Sequence, residues 1–376
     1  MKPLVITDSA EEMIRIGRQI VDDKPEVYSA KTRKEIMDII LQNMPNASPE
    51  ERTNMFYRSI YDYWVYGAAI DEMFFCRFYE KGHDEKSTYL TALNRDVYRA
   101  YLNKQEDMHY LDNKYESYLK FKEWYKRDVI LLSGEKDFDA YCDFVKKHPT
   151  YVVKPTDLLR SRGVYKDSVS DHKDLRAAFL SILEKIDIYS KAYQFRRKPR
   201  TSEDTIILEE LIDQDERISA IHPHSVNGIR CNTIYVDGKV HIYRPWLKIG
   251  KDGAFTTSAE KGTLVAGIDE KTGVIDTQGF DEALNKYETH PNTGVRILGF
   301  QIPNWKELTQ IVTTLALDMP TVKFIGWDMA LSKNGWCVME ANADGDSMWQ
   351  LVYEKGMKKE FEDLIGWRPA KELWEQ

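Results

Sequence analysis

Gly326 to Asp346 reads GWDMALSKNGWCVMEANADGD, two runs of alternating polarity joined by Lys333-Asn334-Gly335. Glycine in third place at the joint suits a three-residue hairpin loop, in which a type I turn is followed by a left-handed residue and a bulge. The register that follows sets Ser332 opposite Trp336, Ala330 opposite Val338 and Asp328 opposite Glu340. Alternation then predicts one apolar face, with Trp327, Met329, Leu331, Cys337, Met339 and Ala341, and a second face with Asp328, Glu340 and Asn342. A two-residue Asn334-Gly335 turn would shift the register by one and move Asp328 to the other face from Glu340, so the clean apolar face favours the three-residue loop. Two carboxylates facing each other across a strand pair repel unless a cation lies between them. Few, hard oxygen ligands are what Mg²⁺ takes when it also holds nucleotide phosphates, so Asp328, Glu340 and Asn342 are candidate metal ligands. A solvated sheet face is the plain alternative. It accounts for the polarity but not for the clustering at one end, beside Ala343-Asp344-Gly345-Asp346.

The 376 residues are enough for a sizeable core and two or three subdomains. With 61 acidic against 53 basic residues the net charge is −8, which argues against nucleic acid as a partner. Cys76, Cys142, Cys231 and Cys337 lack metal or redox spacing and suit reduced thiols. The opening MKPLVITDSAEEM has no apolar signal core, and no apolar run approaches the ~18 residues that cross a bilayer. The expectation is a soluble cytoplasmic protein without membrane insertion; a homodimer is left open.

Upstream of the hairpin the texture changes once. Residues 1–105 read as helical: Ser9-Ala-Glu-Glu12 is a capping box, and Ser48-Pro49-Glu50-Glu51 a stronger one with proline at the first helical position. A linking domain is expected at 106–150, a first α+β subdomain at 151–212 and a second at 213–376, ending in the hairpin and a helical tail. Tyr151 to Lys154 is a strand stopped by Pro155, and a helix follows from Asp171. Thr205 to Ile212 is a strand, Asn227 to Ile249 a hairpin turned at Asp237-Gly238, and Asn304 starts a helix that ends before Pro320. Hairpins interleaved with helices indicate α+β architecture.

The ordered set Leu111-Asp-Asn-Lys114, Tyr151-Val-Val-Lys-Pro155, Leu208-Glu-Glu-Leu211, Ser225-Val-Asn-Gly-Ile-Arg230, His290-Pro-Asn-Thr-Gly294, Gly299-Phe-Gln-Ile-Pro303, Gly326-Trp-Asp328 and Glu340-Ala-Asn342 resembles the ATP-grasp superfamily. Within it, the set is most similar to the sugar-transfer-associated ATP-grasp proteins, relatives of glutamate ligases and D-alanine–D-alanine ligases. The resemblance covers roughly positions 105 to 345.

It implies an ATP-grasp fold with an amino-terminal helical region and two subdomains clamping ATP. Lys114 and Lys154 would reach the α- and β-phosphates, and Glu209-Glu210-Leu211 would be the hinge that pairs with adenine. Two adjacent carboxylates on a strand face opposite ways, so only one of Glu209 and Glu210 can line the pocket. Gln214 is a weaker candidate for ribose. Arg230 would stabilise the transferring phosphate, and Lys248 stands where the family more often has arginine, which keeps the charge but loses the bidentate geometry. The phosphate-covering loop departs from the pattern: Leu158-Leu-Arg-Ser-Arg-Gly163 has one glycine, so Arg160 and Arg162 would supply contacts by charge. His290 is a candidate substrate contact. Phe195-Arg-Arg-Lys-Pro-Arg200 and His222-Pro-His224 read more simply as polar loops.

The implied activity is an ATP- and Mg²⁺-dependent ligase. It would activate a small-molecule carboxylate as an acyl phosphate and join it to an amine or hydroxyl acceptor, in cell-surface polysaccharide or peptide assembly. A kinase on the same scaffold and a non-catalytic nucleotide-binding module are the alternatives.

Overall fold

The computed structural model describes residues 4–158, 161–192, 205–254, 262–343 and 345–375. The chain divides into two compact units.

The first unit joins Met1–Leu102 to Phe280–Lys286 and Asp346–Gln376. Its helices start where capping chemistry predicts. Ser48 Oγ accepts the Glu51 N–H at 3.2 Å and Glu51 returns a carboxylate to the Ser48 N–H at 2.6 Å, closing the box around Pro49–Tyr66. At Ala10–Asp23 only half the predicted box forms, because Glu12 turns to Arg15 instead. Met13, Ile16 and Ile20 of that helix share a core with Phe56 and Ile60. The two helices meet at Gly17, where a β-carbon would come within 2.0 Å of the Tyr57 carbonyl oxygen. The tail from Asp346, expected as the end of the second subdomain, belongs to this unit. Buried Gln350 explains it: its amide accepts the Leu90 N–H at 2.8 Å and donates to the Leu90 carbonyl at 3.0 Å, as a strand partner would.

The second unit, Asn103–Gly279 with Tyr287–Gly345, carries two antiparallel sheets. One contains β1 (Val129–Leu132), β2 (Thr150–Pro155), β3 (Tyr165–Ser168) and β4 (Ile206–Glu210) in the order β1-β4-β2-β3. Tyr141, Phe144 and Phe179, from helices Phe138–Lys147 and Leu175–Ala192, fill its core with Tyr151, Val153 and Leu208. The other contains β5 (Gly228–Val236), β6 (Lys239–Gly250), β7 (Thr263–Gly267), β8 (Gly279–Phe280), β9 (Lys286–Tyr287), β10 (Phe324–Ser332) and β11 (Gly335–Asn342). Its order is β11-β10-β5-β6-β7-β8-β9, β8 and β9 being two-residue strands where the chain changes unit. Asp237 (φ 49°) and Gly238 (φ 74°) make the left-handed pair that turns β5 into β6. Helix Trp305–Leu317 buries Leu308, Ile311, Val312 and Leu315 against one face of this sheet, with Ile229, Cys231, Trp327 and Met329. The opposite face is left for polar residues.

The β10–β11 hairpin corrects the predicted turn. Ser332 pairs with Gly335, Leu331 with Trp336, Ala330 with Cys337 and Met329 with Val338, so only Lys333 and Asn334 form the loop. Gly335 is left-handed (φ 91°), as the turn chemistry requires. This is neither the three-residue loop predicted nor the Asn334-Gly335 turn weighed against it, but a shift by one in the other direction. A bulge then inserts Met339 and restores the opposition of Asp328 and Glu340, followed by Trp327 with Ala341 and Gly326 with Asn342. The core face of β11 is therefore Trp336 and Val338 before the bulge and Ala341 after it, with Cys337 and Met339 off that face.

Candidate functional site

The charged face of the second sheet is built by register. Asp328 on β10 stands beside Arg230 on β5, which stands beside Trp246 on β6, and Lys248 lies two residues further along β6. Arg230 grips Asp328 with two nitrogens, Nε to Oδ1 at 2.8 Å and the terminal nitrogen to Oδ2 at 3.1 Å. Lys248 Nζ donates to Oδ1 at 2.7 Å and Asn342 Nδ2 to Oδ2 at 3.3 Å. Burial pushes the Asp328 carboxyl up, but Arg230 and Lys248 outweigh it and hold it at about 2. Burial lowers the Lys248 ammonium, and Asp328 offsets this in part.

A second node faces it from the four-stranded sheet. Glu209 on β4 is buried and accepts Lys154 Nζ at 2.8 Å and Arg127 Nε at 2.9 Å. Burial raises the Glu209 carboxyl, while Arg127 and then Lys154 bring it to about 2. Arg127 also donates to the carbonyls of Tyr125 at 3.1 Å and Val338 at 2.6 Å, joining β4 to the bulged stretch of β11. Sequence reasoning missed Arg127. Its only signal was an arginine standing two residues before an apolar strand. Lys114 opens helix Lys114–Lys120, capped by Asn113, and extends its ammonium between the Leu158 carbonyl at 2.6 Å and Glu340 Oε1 at 3.2 Å.

Lys114, Lys154, Glu209, Arg230, Lys248, Asp328, Glu340 and Asn342 are thus linked through two facing sheets of one unit. The other candidates fall elsewhere. Glu210 turns outward from Glu209, accepts the Asp128 N–H at 3.0 Å and lies 3.9 Å from His148 Nδ1, and Leu211 follows the end of β4. Gln214 spends its amide on Ser225 and Asn227, fixing its own loop. His290 is buried, with Nε2 2.7 Å from the Gly250 carbonyl and Nδ1 3.2 Å from Thr293 Oγ1, so it ties down the end of β6. Arg162 is exposed in a turn. Arg160 and the basic run Phe195–Arg200 lie outside the described residues. His222 stacks near His290 (5.4 Å) and His224 (5.6 Å).

The donor set suits magnesium in kind. Asp328 and Glu340 are opposed oxygen donors on adjacent strands, with the Asn342 amide beside them. Each of these carboxylates is engaged by a cation in this arrangement, Glu340 by Lys114 and Asp328 by Arg230 and Lys248, so a metal there would have to take the place of those cations. A depression of about 640 Å³ along helix Trp305–Leu317, lined by Ile242, Trp305 and Thr309, contains none of these residues.

Comparison with known proteins identifies the family. The profile described as sugar-transfer associated ATP-grasp matches residues 93–364. No curated protein matches the chain. Among solved structures, D-alanyl-alanine synthetase A of Vibrio cholerae is similar at 15% identity over 69% of this chain and 61% of its own, with a TM-score of 0.40. The D-alanine–D-alanine ligase of Helicobacter pylori gives 17%, 69%, 62% and 0.41, and a D-cycloserine synthetase 14%, 73%, 80% and 0.41. The chain thus spans less than two thirds of the first two. No described helix is long and apolar enough to cross a membrane. With most of its length matched, and an α+β fold that follows an amino-terminal helical region, this chain belongs to the sugar-transfer-associated ATP-grasp family.

Proposed function

We propose that the protein is an ADP-forming ligase that activates a small-molecule carboxylate with ATP and joins it to an amine or hydroxyl. The observation that carries this reading is the surplus of cations over carboxylates in one linked cluster: Lys114, Arg127, Lys154, Arg230 and Lys248 against Glu209, Asp328 and Glu340. A polyphosphate supplies the missing negative charge. The division of labour then follows from position. Lys154 and Lys114 anchor the inner phosphates, with adenine at the Glu209–Leu211 end of β4. Asp328, Glu340 and Asn342 would hold Mg²⁺, which would supply positive charge to neutralise the phosphates. Arg230, with a reach that Lys248 supports, meets charge as the γ-phosphoryl group moves to a carboxylate oxygen and the β–γ bridge breaks to release ADP. The nucleophile's lone pair then attacks the acyl carbon, and the C–O bond breaks with phosphate leaving. The family's association with sugar transfer supports a place in cell-surface polysaccharide or peptide assembly.

Screening carboxylates and amines for ADP release finds the pair. With that acid, hydroxylamine is expected to trap a hydroxamate, and ¹⁸O from the carboxylate to appear in phosphate. A stable phosphorylated product without oxygen transfer would make the protein a kinase. Nucleotide binding without ADP release would leave a non-catalytic module.

A further inference from the structure

We infer that Asn232, assisted by the indole N–H of Trp246, forms the subsite in which the carboxylate substrate and its nucleophile meet, an inference that rests on the ligase reading above. Asn232 follows Arg230 by two residues on β5, and Cys231 between them is in the core, so both side chains are on the charged face. Across the sheet Asn232 pairs with Gly326, which pairs with Asn342. Glycine places no side chain between the two asparagines. Asn232 thus lies one step beyond the Arg230–Asp328 contact, where the group receiving phosphate belongs.

Asn232 is 0% exposed, and among the described residues neither its Oδ1 nor its Nδ2 has a hydrogen-bond partner. Trp246 Nε1, beside Arg230 in the register, is also buried without one. The loop carrying Gly345 passes close above: a β-carbon there would stand 2.9 Å from Asn232 Oδ1 and 2.3 Å from the Phe324 ring. An amide buried with both ends unpaired weakens the fold, and an apolar residue of similar size would suit a strand better. Such groups ordinarily have a partner, which here arrives with the substrates.

The amide presents a donor and an acceptor side by side. A carboxylate offers only acceptors and takes the hydrogens of Asn232 Nδ2 and Trp246 Nε1. An amine or hydroxyl donates to Asn232 Oδ1. One planar group thereby orients the acyl oxygen and the incoming nucleophile together. As the nucleophile's lone pair forms the new bond to the acyl carbon, the Nδ2 hydrogen faces the oxygen that gains negative charge. The C–O bond to phosphate then breaks, phosphate leaves with the electron pair, and the nucleophile's proton passes to it.

The test uses the full chain with Asn232→Leu, Asn232→Asp and Trp246→Phe. The probes are Mg²⁺ with the β,γ-imido analogue of ATP for calorimetry, and a mixture of L- and D-amino acids with hydroxylamine for ADP release. Asn232→Leu is expected to keep or raise the thermal midpoint, to leave analogue affinity within about twofold and to lower ADP release about 100-fold. Asn232→Asp, which keeps an acceptor but loses the donor, should raise KM for the acid while KM for hydroxylamine holds; Trp246→Phe should raise the acid KM about tenfold. A midpoint lower by about 5 °C or more in Asn232→Leu would mean that Asn232 is held by structural bonds, to a buried water for instance, and would overturn the subsite. So would near-normal turnover in that variant. No ADP release from the wild type strikes the ligase reading instead, and the subsite then stands or falls on the midpoint alone.

Discussion

Asp62 in the first unit and Asp328 in the second are both buried and both paired with lysine, yet their environments have opposite effects. Among the described residues Asp62 has one ion-pair partner, Lys86 Nζ at 2.8 Å, with both side chains 0% exposed, and Arg58 acts on it only through its charge. Its Oδ2 has no partner among the described residues, and burial raises its carboxyl further than Lys86 lowers it. The Lys86 ammonium is wrapped instead by the Tyr66 and Phe78 rings, at 5.4 and 5.9 Å. Asp328 has two cations and an amide, and its carboxyl is held at about 2. One carboxylate with one cation in apolar surroundings fixes a fold and has nothing to offer a ligand. One carboxylate with two cations leaves positive charge over, and that surplus is what an anion can use.

The comparison breaks first at the active residues. Asp328→Asn and Glu340→Gln should each lower ADP release by about 1000-fold or more, because each removes a charged oxygen that holds the metal, and Asn342→Ala should cost less. Near-normal turnover of both carboxylate variants at saturating Mg²⁺ would remove them from the site. At the structural pair the loss is in stability. Lys86→Met strands a buried carboxylate and should cost about 3–5 kcal/mol in denaturant unfolding, whereas Asp62→Leu with Lys86→Met should recover most of it. If the double variant is no more stable than the single, the pair is not what holds the helices.

The fold was legible wherever a local signal and burial agreed. The Ser48 box, the Asp237-Gly238 turn and helix Trp305–Leu317 stand where capping, turn chemistry and periodicity put them. The hairpin was legible only in its outcome. Asp328 does oppose Glu340, but through a tight turn and a bulge at Met339 that compensate each other, and alternation cannot see a pair of shifts that cancel. Asp328 was readable from alternation, and Arg230 only through the family resemblance, since by pattern alone it is an edge-strand surface residue. Arg127 and Asn232 were not, since their significance lies in what a distant strand places, or fails to place, beside them. Gln214 and His290 were singled out through the resemblance, and the bonds they make to their neighbouring loops are not visible in sequence.

Acid titration sharpens the contrast. The Asp328 carboxyl is held below its ordinary value of 3.8, so the stability it lends is complete above that range and disappears as pH falls toward about 2. Measured against Asp328→Asn, the wild type should lose roughly 2 kcal/mol across that interval. Asp62 has the opposite sign. Its raised carboxyl makes ionisation unfavourable to the fold, so against Asp62→Asn the wild type should lose stability as pH rises from the ordinary carboxylate range through the raised value. Parallel curves for the two would erase the distinction between a paired and an overpaired carboxylate.

The smallest effect separates the two lysines by the same rule. Lys154 shares Glu209 with Arg127, so Arg127 can go on neutralising that carboxylate while Lys154 turns to phosphate. Among the described residues Lys114 has Glu340 as its one carboxylate partner, and Glu340 is also a candidate metal ligand. Removing Lys114 loses a phosphate contact but frees Glu340 for the metal, and the two changes partly cancel. Lys154→Ala should therefore weaken Mg²⁺·ATP binding about tenfold by calorimetry, and Lys114→Ala only about threefold. An equal or larger loss in Lys114→Ala would show that its contact with Glu340 costs the bound state nothing to give up, and that counting cations per carboxylate does not predict which of them a nucleotide can recruit.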